Sequence, residues 1–182
     1  MGHVTNGVHT PSWDSAEADA LWTEACGKDR WRGTLETVEQ DFRKLSDGQL
    51  WQARCRARRS LIQFVRKHLS LQLEASGARG EEAEAARALF DSEVLTMGFA
   101  RRFAEYKRPN LLLHDPDRLL RILTDPQRPM QLILAGKAHP GDPAGRAMIR
   151  QWVHFIRESG ARRNVVFVSD YDMVVTSRLV QG

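Results

Sequence analysis

Arg101, Arg102, Lys107 and Arg108 lie within one short stretch, GFARRFAEYKRP, running from Gly98 to Pro109. Guanidinium and ammonium groups packed this densely suit phosphate, which Arg meets with a planar fork of donors and Lys with a point charge. The apolar run Val94-Leu95-Thr96-Met97 comes directly before them. That order reads as a buried strand ending in a turn at Gly98, then a short helix that carries the cations. In an open α/β sheet, ligands sit at the carboxyl ends of strands, and helix amino termini there attract phosphate. A run of Arg and Lys on a helix is also the ordinary make-up of a solvated face. Arg101 and Arg108 share a helical face, whereas Arg102 and Lys107 diverge on one unless the helix is short or distorted.

The elements that must position these residues are strand-like runs alternating with helices. The runs are Val94–Met97, Met130–Ala135 and Asn164–Ser169. Two helices start at Asp115-Pro116 and Asp142-Pro143, each with Asp as N-cap and Pro in the first turn. The second is expected to turn Met148, Ile149, Trp152, Val153 and Ile156 inward and to stop before Gly160. Continuous apolar strands separated by helices predict a parallel sheet covered on both faces. Right-handed crossovers bring all the carboxyl ends to one edge. GFARR, Gly136–Pro140 and Ser169–Met173 are therefore expected to face one crevice. A last helix is expected over Met173–Val180. So small a sheet reads as part of a domain, with one edge left uncovered.

Upstream the pattern is helical. Residues 1–12 contain Asn6-Gly7 and Pro11 and read as loop, with His3 and His9 in it. Helices are expected over Ala16–Ala25, closed by Gly27, and over Leu35–Lys44, with Val38 and Phe42 on one face. A long helix starts at Ser46, which has capping-box spacing to Gln49. Another is expected over Ala78–Leu89. Trp22 and Trp31 read as packing residues. Arg54, Arg56, Arg59, Arg66 and Lys67 line the outer surface of the long helix. Its stacking aromatics are confined to Trp51 and Phe64, and Glu81, Glu82 and Glu84 follow, so a solvated face fits better than a nucleic-acid surface.

A chain of 182 residues, 42% hydrophobic and 27% charged, is about one domain by size. Its net charge of +4 suits an anionic partner and is too modest to imply nucleic acid. No apolar stretch approaches the ~20 residues of a membrane span. The first residues lack the apolar segment of a secretory signal. Cys26 and Cys55 read as free buried thiols, and the expected compartment is the cytoplasm. The histidines show no metal-ligand spacing.

The wording of the loops resembles the α-glucan (glycogen and maltodextrin) phosphorylases in their shorter bacterial form. The resemblance is carried by HVTNGVHTPSW at 3–13, LSDGQLWQAR at 45–54, LTMGFARRFAEYKR at 95–108, QLILAGKAHP at 131–140 and DYDMVVTSRLVQG at 170–182. It implies an α/β fold of the GT-B type, with two Rossmann-like domains and the active site between them. Residues 1–12 would be an active-site loop from the end of the amino-terminal half, 13–91 a helical region, and 92–182 the start of the carboxyl-terminal Rossmann-like domain. The implied reaction is cleavage of the terminal α-1,4 bond of a glucan by inorganic phosphate, giving α-glucose 1-phosphate with retention. The implied cofactor is pyridoxal 5′-phosphate, whose phosphate exchanges a proton with the substrate phosphate.

By matching positions, the resemblance implies that Arg102 and Lys107 hold the substrate phosphate and that Arg101 lies near the cofactor phosphate. It places Asn6 and His9 near the sugar subsite. Two phosphates must come close together, and a dense cation cluster offsets their repulsion. Ala104 stands where animal-type members carry histidine, and Met97 where isoleucine or valine is commoner. The family's cofactor lysine belongs to an EASGTSGMK-like motif that no lysine of this chain matches. The chain is therefore expected to be an internal fragment, inactive alone. The implied partners are α-glucan and phosphate, with a homodimer for the full-length enzyme and neither nucleic acid nor membrane. Two other readings compete: a nucleotide-sugar glucosyltransferase of the glycogen or starch synthase kind, and a basic helical binding module over 46–75.

Overall fold

The structure is a computed structural model and describes residue 2 and residues 7–182, without the side chains of Trp31 and Leu35. Contacts divide the chain into two units, Met1–Ser60 with Val180–Gly182, and Leu61–Leu179.

The first unit is helical. Helix α1 (Thr10–Trp13) is a single turn where loop was expected, with Pro11, its φ already helical, in that turn. Helix α2 (Ala16–Cys26) is capped by Ser15, whose Oγ accepts from the Ala18 amide at 3.0 Å, and it ends at Gly27 with φ +75°. Helix α3 (Leu35–Phe42) is capped by Thr34. Trp22 stacks on Phe42 with ring centroids 4.4 Å apart, so the aromatic pair fastens α2 to α3. The long helix α4 (Asp47–Ala75) opens on the expected capping box. The Ser46 amide donates to Gln49 Oε1 at 2.9 Å, and the Gln49 amide donates to Ser46 Oγ at 3.3 Å. Cys26 is half-buried and Cys55 buried, both as free thiols.

The second unit is α/β. After the later half of α4 come α5 (Gly80–Arg87), β1 (Leu95–Ala100), α6 (Pro116–Leu123), β2 (Met130–Ala135), α7 (Pro143–Glu158), β3 (Val165–Val168) and α8 (Met173–Gln181). The sheet has three strands in the order β1-β2-β3. Both pairs are parallel, with Leu95 opposite Met130, Ala100 opposite Ala135, and Ala135 opposite Val168. Alternation along β2 sends Leu132 and Leu134 to one face and Ile133 and Ala135 to the other. On the first face they meet Leu119 and Leu123 of α6, Trp152 and Phe155 of α7, and Phe103. On the second they meet Ile62 and Val65 of α4, Phe90 and Val175 of α8. Helices thus cover both faces of β2 and β3, as the apolar runs predicted. Strand β1, expected to be a buried strand, is instead an edge strand with no buried residue and with Leu95 exposed. In α7 the buried side chains are Trp152 and Phe155; Val153 is only half-buried.

Strand β1 corrects the expected turn at Gly98. The strand continues through Gly98 to Ala100, in register with Ile133, Leu134 and Ala135. A Cβ on Gly98 would meet only Leu179 Cδ2, at 3.9 Å, so the glycine lies in an ordinary extended strand. The buried Gln131 side chain ties the start of the sheet together. Its Nε2 donates to the Asp91 carbonyl and to Thr96 Oγ1, both at 2.9 Å, and its Oε1 accepts from the Asp91 amide at 2.6 Å.

Candidate functional site

Because all strands run the same way, Arg101–Lys107, Gly136–Pro140 and Ser169–Met173 follow the carboxyl ends of β1, β2 and β3 at one edge of the sheet. Hydrogen bonds knit them together there. The Arg101 amide donates to the Ala135 carbonyl at 3.2 Å, and the Phe103 amide donates to the Lys137 carbonyl at 3.0 Å. The β1 segment therefore keeps pairing with the β2 segment past the strand ends. The third loop joins through Tyr171, whose hydroxyl donates to the Ala100 carbonyl at 3.4 Å. It is also held by α4: Gln72 Oε1 accepts from the Ser169 amide at 2.8 Å, and Gln72 Nε2 donates to the Phe167 carbonyl at 3.2 Å.

The cations do not ride on a helix. Residues 101–104 are not helical, Ala104 being extended, and only Glu105–Lys107 form a single 3₁₀ turn, closed by Arg108 at φ +49°. The expected cation-bearing helix, and the phosphate-attracting amino terminus it would have supplied, are corrected accordingly. Apolar anchors replace them. Phe103, next to Arg102, is 0% exposed and packs among Leu119, Leu134 and Trp152. Past Lys107, Pro109 is buried, and its carbonyl accepts from Trp152 Nε1 at 3.1 Å. Asn110 Nδ2 donates to the Met148 carbonyl at 3.1 Å. Arg102 thus stands directly before one buried attachment point and Lys107 between that one and the next, and the helical divergence of their positions does not apply.

Arg101 and Arg102 are exposed and Lys107 half-buried, its Nζ lying 5.4 Å from the Tyr106 ring centroid. None of the three makes an ion pair with a described residue. By contrast Arg43, Lys44 and Arg87 hold carboxylates at 2.6 to 3.1 Å. The strand-edge cations are therefore available to an external anion without breaking an internal pair. His9, in the first unit, is exposed, and its Nδ1 shares a hydrogen with Ser12 Oγ at 2.8 Å. Asn6 lies outside the described residues. Among the described residues no group of His, Cys, Asp and Glu is arranged to hold a metal ion.

Sequence reasoning missed Phe103, Tyr171 and two glycines, Gly136 and Gly145, whose missing side chains let backbones meet here. Gly136 follows an apolar run directly, which is a sign of close backbone approach. A shallow concavity of about 380 Å³ lies elsewhere, lined by Gln63, Arg66, Lys67, Ser70, Leu71 and Arg87; none of these belongs to the strand-edge loops.

A pyridoxal phosphate group makes two demands, cations for its phosphate and an amine in a dry pocket for its aldehyde. Arg101 and its neighbours fit the first. Lys28, Lys44, Lys67 and Lys137 are exposed and Lys107 half-buried, so no lysine here fits the second.

No known family model matches the chain. No solved structure matches it. Curated proteins do. The glycogen phosphorylase of Mycobacterium tuberculosis strain H37Rv is 41% identical over 182 residues, covering 100% of this chain and 21% of that protein. The glycogen phosphorylase of Aquifex aeolicus is 34% identical over 183 residues, 100% of this chain and 26% of that protein. The maltodextrin phosphorylase of Thermococcus litoralis is 33% identical over 181 residues, 98% of this chain and 21% of that protein. The chain therefore spans about a fifth to a quarter of the length of these curated relatives.

Proposed function

Because the chain belongs, along its whole length, to the glycogen and maltodextrin phosphorylase family, we propose that its strand-edge cations bind the phosphate of glucan phosphorolysis. They would do so as part of an enzyme of the relatives' length. Arg102 and Lys107 grip the substrate phosphate. One phosphate oxygen bonds to C1 of the terminal glucose, the C1–O4 bond breaks, and the phosphate proton passes to the leaving glucan oxygen. As the glycosidic bond breaks, positive charge develops on the sugar and negative charge concentrates on phosphate; the two cations stabilise that phosphate. Arg101 would help hold the phosphate of pyridoxal phosphate, and the chemistry that group would supply is proton exchange with the substrate phosphate.

Asn6 and His9 belong to the sugar subsite in this reading. The hydrogen bond of His9 Nδ1 to Ser12 leaves Nε2 for a sugar hydroxyl. Residues 92–182 are the opening of a Rossmann-like, GT-B type domain, a reading supported by three parallel strands paired in chain order with helices on both faces. Residues 13–91 form the helical region before it and 1–12 an active-site loop. A homodimer and a cytoplasmic setting accompany the family reading. No described helix is long and apolar enough to cross a membrane.

The observation that carries the proposal is the placement of Arg102 directly before the buried anchor Phe103, and of Lys107 between Phe103 and the buried Pro109, neither with an ion-pair partner among the described residues. Titration of the chain with inorganic phosphate, followed by ³¹P NMR, tests it. Arg102→Ala and Lys107→Ala are each expected to weaken binding by about 1.5–3 kcal/mol, the range for a hydrogen bond to a charged group. Wild-type affinity in both variants would overturn the proposal. Preference for a nucleotide-sugar over phosphate would favour the glucosyltransferase reading instead.

A further inference from the structure

We infer that Gly136 and Gly145 are positioning residues for Arg102, holding the backbone that carries it at a separation no side chain permits. The inference rests on the reading of Arg102 as a phosphate ligand. A Cβ on Gly136 would lie 2.1 Å from the Arg101 carbonyl oxygen and 2.7 Å from Phe103 Cδ2. A Cβ on Gly145 would lie 2.4 Å from the Phe103 carbonyl oxygen and 2.8 Å from Asp142 Oδ2. Neither glycine has a positive φ, so backbone conformation does not demand glycine at either place. The missing atom does.

The two glycines come from different elements, one just past the end of β2 and the other in the first turn of α7. They close on the carbonyls of Arg101 and Phe103, the residues on either side of Arg102. The amides on either side are engaged as well, Arg101 with Ala135 and Phe103 with Lys137. The root of the Arg102 side chain is thus fixed by contacts on both flanking peptides. Only the side-chain torsions are left to order when an anion arrives, which lowers the entropic cost of binding. Gly98, in the same strand, offers the contrast: a Cβ there would make one ordinary contact, at 3.9 Å.

The test is the same phosphate titration on Gly145→Ala and Gly136→Ala, with Gly98→Ala as control, each alone and combined with Arg102→Ala. Gly145→Ala is expected to weaken phosphate roughly tenfold or more, as sub-ångström to ångström misplacement of a binding group does, with the far-UV circular dichroism of the native chain retained. Gly98→Ala is expected to bind as wild type. Combined with Arg102→Ala, Gly145→Ala should add no further loss, because it acts through that side chain. A merely structural role would leave its loss intact in the double variant, and that result would overturn the inference. Wild-type affinity in Gly145→Ala, beside a weakened Arg102→Ala, would overturn it too. Gly136→Ala meets the harder clash and should lose more; if it does not fold, Gly145→Ala decides alone. Wild-type affinity in Arg102→Ala would fell the phosphate reading itself, and this inference with it.

Discussion

Asp14 sits between α1 and α2 with one carboxylate oxygen, Oδ2, buried and without a hydrogen-bond partner. Burial, and then the negative charge of Asp19, push its carboxyl above the ordinary value of 3.8, while Arg30 and the Ser15 amide pull the other way. A carboxyl raised in the folded state holds its proton longer there than in the unfolded chain. Stability from this group is therefore full in acid and is lost as pH rises from the ordinary carboxylate range through the raised value. Asp14→Asn is expected to raise the thermal midpoint at neutral pH and to show little gain near pH 3, measured by calorimetry at both. An equal gain at both would mean that shape, not charge, limits this position. At the same scale, Arg101, Arg102 and Lys107 were legible in the sequence because charge is a property of residue type. Gly136 and Gly145 were not. What they contribute is an absent atom, and only coordinates show what would occupy its place.

Elements were legible where their signals are local. The Ser46–Gln49 box and the Asp115-Pro116 and Asp142-Pro143 starts each lie within one turn of chain, and the caps form as the sequence implies. Asp142→Ala is expected to cost about 1 kcal/mol, because its Oδ1 accepts from the Gly145 amide at 2.9 Å at the head of α7. Urea unfolding with an unchanged m-value would register that loss; a midpoint equal to wild type would show the cap to be redundant. The error at Gly98 was of a different kind. A glycine after an apolar run reads alike as a turn or as mid-strand, and pairing with Ile133, far along the chain, decides between them. The supposed helix of cations failed for the same reason: the Phe103 amide pairs with the Lys137 carbonyl instead of a helical partner.

For the whole molecule, the division of cations matters most. Arg43, Lys44 and Arg87 are neutralised by nearby carboxylates, whereas Arg101, Arg102 and Lys107 are not. The strand edge thus has cations for the proposed phosphate, yet no lysine is sheltered enough to fix a pyridoxal aldehyde. The 182-residue chain mixed with pyridoxal phosphate is expected to lose the compound on gel filtration and to release no glucose 1-phosphate from glycogen. Retained absorbance of a bound pyridoxal group, together with product, would contradict this.

Trp152 is the one tryptophan between Leu61 and Leu179, and its indole is dry. Its ring nitrogen bonds the carbonyl of Pro109, two residues beyond Lys107. The second unit thus carries its own fluorophore, wired to the segment where an anion would land. The brightness and colour of that single chromophore follow the loop's conformation without any attached label, once the exposed Trp51 and the remaining tryptophans of the first unit are replaced by phenylalanine.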